Sequence, residues 1–257
     1  MNCLKEINVD LLLNESVSKG LDPDKYSKVL KEYHRCLWSH RKIDGKSFTL
    51  VDDGHNKLKY STDNLEIVFT PDSITNSFIQ SGRRIKKDGE ITTEGELIAK
   101  FRQEDGEIDN LLNEYEKEDY KIGTSIIFPI SINGTSIRWT LNIARGILHR
   151  VHDRIDLTLE CIRRYYQEPD AYNPLRNSIN RNLEFFKLFK SFEEYIDFFF
   201  LKCLIDKDGK VKGLSDTLDF FEPFPLTREQ YKTYLKNTLA FMEDRKRDIG
   251  DWIKNGN

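Results

Sequence analysis

The segment from Phe192 to Ile205 constrains the fold more strongly than any other part of the sequence. Its apolar side chains fall on nearly every side of a helix and are Phe192, Tyr195, Ile196, Phe198, Phe199, Phe200, Leu201 and Leu204. Ser191 and Glu194 have the spacing of a capping box, which predicts that a helix begins here. A helix without a continuous polar face must be covered by the rest of the protein. The sequence therefore predicts a core around this helix. The segment is too short and too charged to cross a membrane, so no membrane role is predicted.

The first half of the chain is predicted to combine helices with short strands. Asp22 and Pro23 are typical of a helix start, and apolar residues then recur at helical spacing as far as Ser39. The other predicted elements are strands at Phe48–Val51, Leu58–Tyr60 and Leu65–Phe69, a helix around Ile108–Tyr115, and strands at Thr124–Ile130 and Thr135–Thr140 that flank the turn Asn133-Gly134. The glycine-spaced segment Gln80–Glu96 predicts an exposed loop.

Helical spacing dominates the rest of the chain. The predicted helices cover Ile155–Tyr166, Leu175–Phe186 and the stretch from Thr227 towards Trp252. No repeat or proline-rich linker divides the sequence. We therefore predict a single α+β domain over residues 1–257. Short strands and a β-hairpin in the N-terminal half, about residues 1–140, would pack on a predominantly helical C-terminal half, about residues 141–257.

The charge balance limits the partners that the protein is expected to bind. Lysine and arginine total 40, aspartate and glutamate total 43, and the formal net charge is -3 at pH 7. Because a long polyanion needs an excess of positive charge, binding along extended nucleic acid is not expected. The cysteines form no Cys-x-x-Cys pair and the N-terminus has no apolar signal core, so we expect reduced thiols and a cytoplasmic location.

Arginine replaces lysine entirely between Ile122 and Phe186. The cations of this window are Arg138, Arg145, Arg150, Arg154, Arg163, Arg164, Arg176 and Arg181. The guanidinium group makes bidentate contacts with carboxylates and phosphates and tolerates burial better than an ammonium does. The choice of cation therefore indicates partly buried ionic partners.

Two interpretations of these arginines remain open. In the first, they only join helices through ion pairs, which are common in proteins and resemble functional sites. In the second, they line a pocket for an anionic group. The predicted ligand-binding residues are then Asn142, Arg145, Arg154 and Arg163, and the predicted catalytic residues Asp153, Asp156 and Glu160 orient them or act as acids and bases.

The segment Tyr33–Ser39 provides a second group of candidates. Tyr33 and Trp38 lie near one helical face and are typical of a core, but they are also predicted as the opposite, ligand-binding wall of the pocket. His34 is a candidate general base. His149 and His152 lack a third ligand, so no metal site is predicted, and no phosphate loop or dinucleotide signature defines a cofactor.

Several motifs carry a resemblance to a known family, and three of them include candidate site residues. They are Tyr33-His34-x-x-Leu37-Trp38-Ser39, Asn142-x-x-Arg145-Gly146, and Asp153-Arg154-x-Asp156-Leu157-Thr158-Leu159-Glu160-Cys161-Ile162-Arg163-Arg164. From about Asp22 to Phe241 the sequence resembles an uncharacterised bacterial family of single-domain proteins, a domain of unknown function. The resemblance implies one coherent domain without an assigned activity, and it emphasises these Asn, Arg and Asp positions rather than the histidines. The chain departs from the family at His40 and Ile43-Asp44, which stand where relatives have a lysine and a Leu-Pro pair.

The pocket interpretation predicts the class of ligand. A phosphorylated small molecule, a nucleotide or a nucleic-acid end would suit the arginines, and any reaction would be hydrolysis or transfer at a phosphoryl or glycosidic centre. The alternative is a non-enzymatic protein-interaction module, for example one associated with mobile elements or phage conflict. Whether the protein is an enzyme is left open by the sequence.

Overall fold

The computed structural model describes residues 26–54, 57–119, 121–136, 140–216 and 218–255. Its helices are α1 (Lys28–His40), α2 (Glu94–Glu104), α3 (Gly106–Glu118), α4 (Leu141–Ile147), α5 (Ile155–Gln167), α6 (Arg176–Arg181), α7 (Leu183–Phe186), α8 (Phe192–Phe198) and α9 (Arg228–Asn255). Its strands are β1 (Lys42–Ile43), β2 (Lys46–Ser47), β3 (Val51–Asp52), β4 (Leu58–Ser61), β5 (Glu66–Ser73), β6 (Arg84–Lys87), β7 (Glu90–Thr93), β8 (Ser125–Ile132) and β9 (Thr135–Ser136). The predicted helix start at Asp22 and Pro23 lies outside the described residues.

A five-stranded antiparallel sheet forms the β part of the protein. Its strand order is β3-β4-β5-β8-β9, and the long strands β5 and β8 pair from Ile67 with Ile132 to Ser73 with Ser125. The predicted turn joins β8 to β9, where Asn133 and Gly134 have φ values of 50° and 74°. These left-handed conformations explain why an Asn-Gly pair is required there. The strand predicted at Phe48–Val51 is displaced, because regular pairing begins only at Val51.

The prediction of an exposed loop over Gln80–Glu96 is wrong. Strands β6 and β7 pair as a hairpin whose turn consists of Asp88 and Gly89, with φ values of 52° and 90°. The Asp-Gly pair is a hairpin signal. The strands on either side of it are charged and lack an apolar alternation, which is why the sequence pattern indicated a loop. Helix α2, which follows the hairpin directly, was also not predicted.

The aromatic segment is central to the core, as predicted, but its helix is shorter than expected. Side chains of α8 and the next residues are buried, and Trp38 packs against Phe198 and Phe199 with ring centroids 5.0 and 6.2 Å apart. The helix ends at Phe198, and Phe200 takes a left-handed backbone with φ of 56°. This reversal brings consecutive phenylalanines into contact with different neighbours.

The last part of the chain is helical. The single helix predicted over Leu175–Phe186 is divided into α6 and α7 at Asn182, whose buried side-chain amide donates to the carbonyl of Ser178. Helix α9 begins as predicted, because the backbone amides of Gln230 and Thr227 bond reciprocally to each other's side chains. The sheets lie in the N-terminal half and the C-terminal half is mostly helical, which confirms the α+β prediction.

Two further observations bear on the environment of the protein. None of the helices in the described ranges is long and apolar enough to cross a membrane. The expectation of reduced thiols is wrong at Cys36, which is disulfide-bonded, whereas Cys161 and Cys203 are free.

Candidate functional site

Arg145 is the centre of the charged cluster behind the sheet. Thr140 caps α4 by accepting from the backbone amide of Ile143, and this helix carries Arg145 into the interior, where it is 0% exposed. Its guanidinium donates to Asp72 at 2.7 Å and to the Thr158 hydroxyl at 2.9 Å, and it lies 3.3 Å from an Asp153 carboxylate oxygen. Two carboxylates thus share one buried cation.

These two carboxylates line the acidic cleft, a concave space of about 600 Å³. The cleft lies between the end of β5, the loop 74–81, the N-terminus of α2, the C-terminus of α3 and the turn before α5. Its ionisable lining comprises Asp72, Arg83, Glu94, Tyr115, Glu116, Asp119, His152 and Asp153. Five carboxylates therefore face one guanidinium in its lining. A surface of this kind favours ligands that donate hydrogen bonds.

The wall of the cleft is fixed by close packing of backbone segments. The hydroxyls of Tyr231 and Tyr234, both in α9, donate to the carbonyls of Ser77 and Asn76 at 2.6 and 2.7 Å. A Cβ atom at Gly95 would lie 2.8 Å from the Ile79 carbonyl oxygen, so only glycine lets α2 approach the loop this closely. The loop is thus held from two sides.

Three residues of the cleft have left-handed backbone conformations. Phe78, His152 and Asp153 have φ values of 61°, 59° and 56°, and His152 and Asp153 are consecutive. Such conformations cost about 1–3 kcal/mol each for residues other than glycine, and they cluster at functional sites. The left-handed conformations of His152 and Asp153 turn the chain between α4 and α5 so that both side chains line the cleft. The turn is closed by the Asp153 amide, which donates to the Arg145 carbonyl at 2.9 Å.

His152 and Glu94 form a buried pair in the cleft wall. The His152 Nε2 atom lies 2.6 Å from Glu94 Oε1, and in the described part of the chain neither atom makes a hydrogen bond of good geometry. Glu94 also accepts from the Ser81 hydroxyl at 2.6 Å, and the His152 ring packs between Phe78 and Phe224. These contacts hold the pair in a fixed position in the cleft wall.

Asp153 is the acid most suited to exchange a proton with a ligand. Its side chain is 37% exposed, so it is accessible from the cleft. Burial of the carboxyl raises its pKa above the usual aspartate value, although the charges of Arg145, His152 and Arg83 act in the opposite direction. The carboxyl therefore holds its proton to a higher pH than an ordinary aspartate does.

Arg154 and Asp156 lie outside the cleft and are bound to each other. Both are completely buried as side chains, and the guanidinium of Arg154 donates to both oxygens of Asp156. Arg154 also donates to the Pro223 carbonyl at 2.7 Å, and Asp156 accepts from the Leu214 amide at 2.7 Å. These contacts tie the start of α5 to the segment before α9.

Arg163 and Glu160 also have partners within the protein. The guanidinium of Arg163 donates to both oxygens of Glu160 at 2.7 and 2.8 Å and to Glu168 at 2.9 Å. Hydrogen bonds to Glu160 are the main reason that the pKa of Arg163 is raised. Asn142 is half-buried and accepts from the Thr140 hydroxyl and the Ile143 amide, so its side chain contributes to the start of α4.

The candidates on α1 lie in the core and not at the acidic cleft. Tyr33, His34 and Trp38 are at most 2% exposed. His34 Nε2 contacts the Ser125 hydroxyl at 3.3 Å, and burial lowers the pKa of His34 to about 3, so its ring is neutral. Among the described residues, the Tyr33 hydroxyl, His34 Nδ1 and the Trp38 indole nitrogen have no hydrogen-bond partner.

The structure thus brings together only part of the predicted site. Arg145 and Asp153 meet at the acidic cleft, and Asp72, Glu94, Asp119 and His152 join them there without having been predicted. One signal was present, because aspartate is rare within strands and Asp72 lies in the apolar strand β5. The described residues contain no group of three or more His, Cys, Asp and Glu side chains arranged to hold a metal ion.

Fold and site together define an α+β protein in which a buried arginine supports two carboxylates at an acidic cleft. The chain belongs to the family of unknown function DUF6994, which it matches over residues 7–249, and the resemblance to an uncharacterised family is thereby confirmed. Neither the curated proteins nor the solved structures contain a match to the chain.

Proposed function

We propose that the acidic cleft binds a small neutral or cationic ligand rich in hydrogen-bond donors, such as a sugar or a nucleoside. The surplus of carboxylates in the lining supports this choice over an anionic ligand. Arg145 cannot supply the missing positive charge, because it is buried and already shared by Asp72 and Asp153. A carboxylate accepts hydrogen bonds from hydroxyl and amino groups in the geometry that such ligands offer.

The same groups support acid–base chemistry at a glycosidic centre. Many glycoside hydrolases use two carboxyl groups, one of which donates a proton to the leaving group while the other accepts one from water or attacks directly. Asp153, with its raised pKa, is proposed as the proton donor, and Asp72 as the second carboxylate. Arg145 positions both groups, and the strained turn holds Asp153 at the cleft. This pairing at the cleft is the observation that carries the proposal.

A ligand screen on matched variants tests the proposal. Thermal unfolding is measured with ribose, adenosine, AMP and spermidine for the native protein, for Asp153→Asn and for Asp88→Asn. Asparagine keeps the shape of the side chain and tolerates the left-handed backbone, so Asp153→Asn changes mainly the charge. Asp88 is exposed, has a left-handed backbone like that of Asp153 and is not part of the cleft lining, which makes Asp88→Asn the matched control.

We expect ribose, adenosine or spermidine to stabilise the native protein and the control but not Asp153→Asn. A ligand at about one hundred times its Kd adds about 2.7 kcal/mol to the free energy of unfolding, which is easily detected. Stabilisation by AMP alone would contradict the proposal, since the phosphate would then carry the binding. A protein that none of the four probes stabilises would favour the interaction-module alternative.

The pH dependence of stability provides a second prediction. A carboxyl whose pKa is higher in the folded than in the unfolded protein stabilises the fold below its unfolded pKa, about 3.9 for aspartate, and loses that contribution as the pH rises through its folded pKa. The stability of the native protein relative to Asp153→Asn should therefore fall as the pH rises from about 4 towards neutral. Denaturant unfolding across this range measures the difference. A difference that stays constant or grows with pH would show that the charge of Arg145 outweighs the burial of Asp153.

A further inference from the structure

A pair of aromatic rings is exposed on the surface near the end of α5. Tyr172 and Phe221 are 52% and 64% exposed, and their rings are stacked with centroids 5.8 Å apart and an interplanar angle of 24°. Phe220, which lies 6.1 Å from Tyr172 by ring centroids, is buried beneath them. We call Tyr172, Phe220 and Phe221 the aromatic patch. Large apolar rings at this exposure are a sign of a binding surface when they are grouped.

Three arginines surround the aromatic patch. The guanidinium of Arg150 lies 4.1 Å from the Phe221 ring centroid, and that of Arg164 lies 4.9 Å from the Phe220 ring centroid. Arg164 and Arg176 reach the segment that carries Tyr172 by donating to the carbonyls of Tyr172 and Ala171. Arg164 pairs with Glu160, but within the described part of the chain no carboxylate forms an ion pair with Arg150 or Arg176. Arg150 and Arg176 thus bring positive charge to the patch, although the neighbouring segments also carry Asp170, Asp219 and Glu222.

A small cleft of about 230 Å³ adjoins the patch. It is lined by Arg164, Tyr165, Pro169, Asn173, Arg176, Ile179 and Asn180. This lining contains two arginines and two asparagines and no acidic residue, the opposite of the acidic cleft. The Asn173 side-chain amide already donates to the Cys161 carbonyl. The donors that remain for a phosphate are the other N–H groups of Arg164 and Arg176, together with Asn180.

We propose that the aromatic patch and this cleft bind a nucleoside 5′-phosphate. The base stacks on Tyr172 and Phe221, and the phosphate lies against Arg164 and Arg176. Aromatic stacking combined with arginine contacts is how proteins hold unpaired nucleotides without a sequence preference. The net charge disfavours an extended duplex, but the patch has the size and the charge for a free nucleotide or for the 5′ end of a single strand.

Fluorescence anisotropy with a short single-stranded oligonucleotide, labelled at its 3′ end, tests the proposal. The probe is used with a 5′-phosphate and with a 5′-hydroxyl, and AMP and ribose 5-phosphate are competitors. The variants are Phe221→Ala and Arg176→Gln. The controls are Ile91→Ala, which removes a side chain that is 75% exposed on β7, and Arg84→Gln, which removes an exposed arginine on β6. Thermal unfolding verifies that every variant is folded.

We expect the 5′-phosphorylated probe to bind, and each patch variant to weaken this binding about fivefold or more while the controls leave it unchanged. AMP should displace the probe better than ribose 5-phosphate does, because only AMP carries a base. Displacement by AMP as readily as by unlabelled oligonucleotide identifies a free nucleotide as the ligand, and displacement by the oligonucleotide alone identifies a nucleic-acid end. Equal binding of the 5′-hydroxyl probe, unchanged binding by Phe221→Ala and Arg176→Gln, or no binding of the probe and AMP at millimolar concentration would overturn the proposal.

Discussion

The Asp156→Asn variant is expected to lose about 3–5 kcal/mol of the free energy of unfolding, because it leaves a buried guanidinium without its carboxylate. Arg154 is 1% exposed and directs two nitrogens at Asp156. The Asp156 carboxylate also accepts hydrogen bonds from the backbone amides of Leu214 and Leu157, and asparagine would offer these amides an uncharged acceptor. Chemical denaturation at neutral pH measures the loss.

Two control variants separate this effect from ordinary surface electrostatics. Glu168→Gln removes a carboxylate that pairs with Arg163 but is 49% exposed, so solvent screening should leave it only a small contribution to stability. In the double variant Arg154→Met/Asp156→Leu both charges are removed, and much of the lost stability should return. If the free energy of unfolding of Asp156→Asn lies within about 1 kcal/mol of that of the native protein, Arg154 does not depend on Asp156 as a structural partner. The earlier hypothesis that Arg154 meets a ligand would then regain support.

The Trp38→Ala variant is also expected to be strongly destabilised, by about 3–5 kcal/mol, because it opens a cavity in the core. The indole is fully buried and its ring centroid lies 5.1 Å from Phe69 and 5.0 Å from Phe198. It thus joins α1, β5 and α8. Denaturant unfolding of Trp38→Ala measures the effect. Ile91→Ala is the control, because the exposed Ile91 side chain should contribute little to the free energy of unfolding. A loss no larger than that of the control would mean that Trp38 does not hold the core together, and would favour its predicted role as a ligand-binding wall.

Periodicity predicted the elements whose apolar residues lie on one face. Helix α5 was expected over Ile155–Tyr166 and extends over Ile155–Gln167, and the Asn133-Gly134 turn was located correctly. Periodicity failed where charged residues form strands, as in the hairpin β6–β7, and where a left-handed residue ends a helix within an apolar run, as at Phe200. Backbone reversals of this kind depend on tertiary packing, which the order of side chains does not encode locally.

The candidate site was predictable only from its arginines. The preference for arginine correctly indicated buried ionic partners, since Arg145, Arg154 and Arg163 each bind carboxylates within the chain. The sequence could not show which of those carboxylates also line a concave surface. Asp72 is brought to Asp153 by sheet pairing across a long stretch of chain, and Glu94 reaches His152 through a hairpin that was not predicted. The assignment of ligand-binding and catalytic roles remains a prediction.

The turn between α4 and α5 places its side chains on two sides of the protein. His152 and Asp153 line the acidic cleft, while Arg150, two residues earlier, covers Phe221 in the aromatic patch. The backbone between them is closed by hydrogen bonds to the carbonyls of Leu148 and Arg145. If a molecule bound on one side shifts this turn, the affinity on the other side changes, and the factor is the same in both directions. Measuring the affinity of the acidic cleft for its ligand with and without a ligand at the aromatic patch, and the reverse, would give that factor.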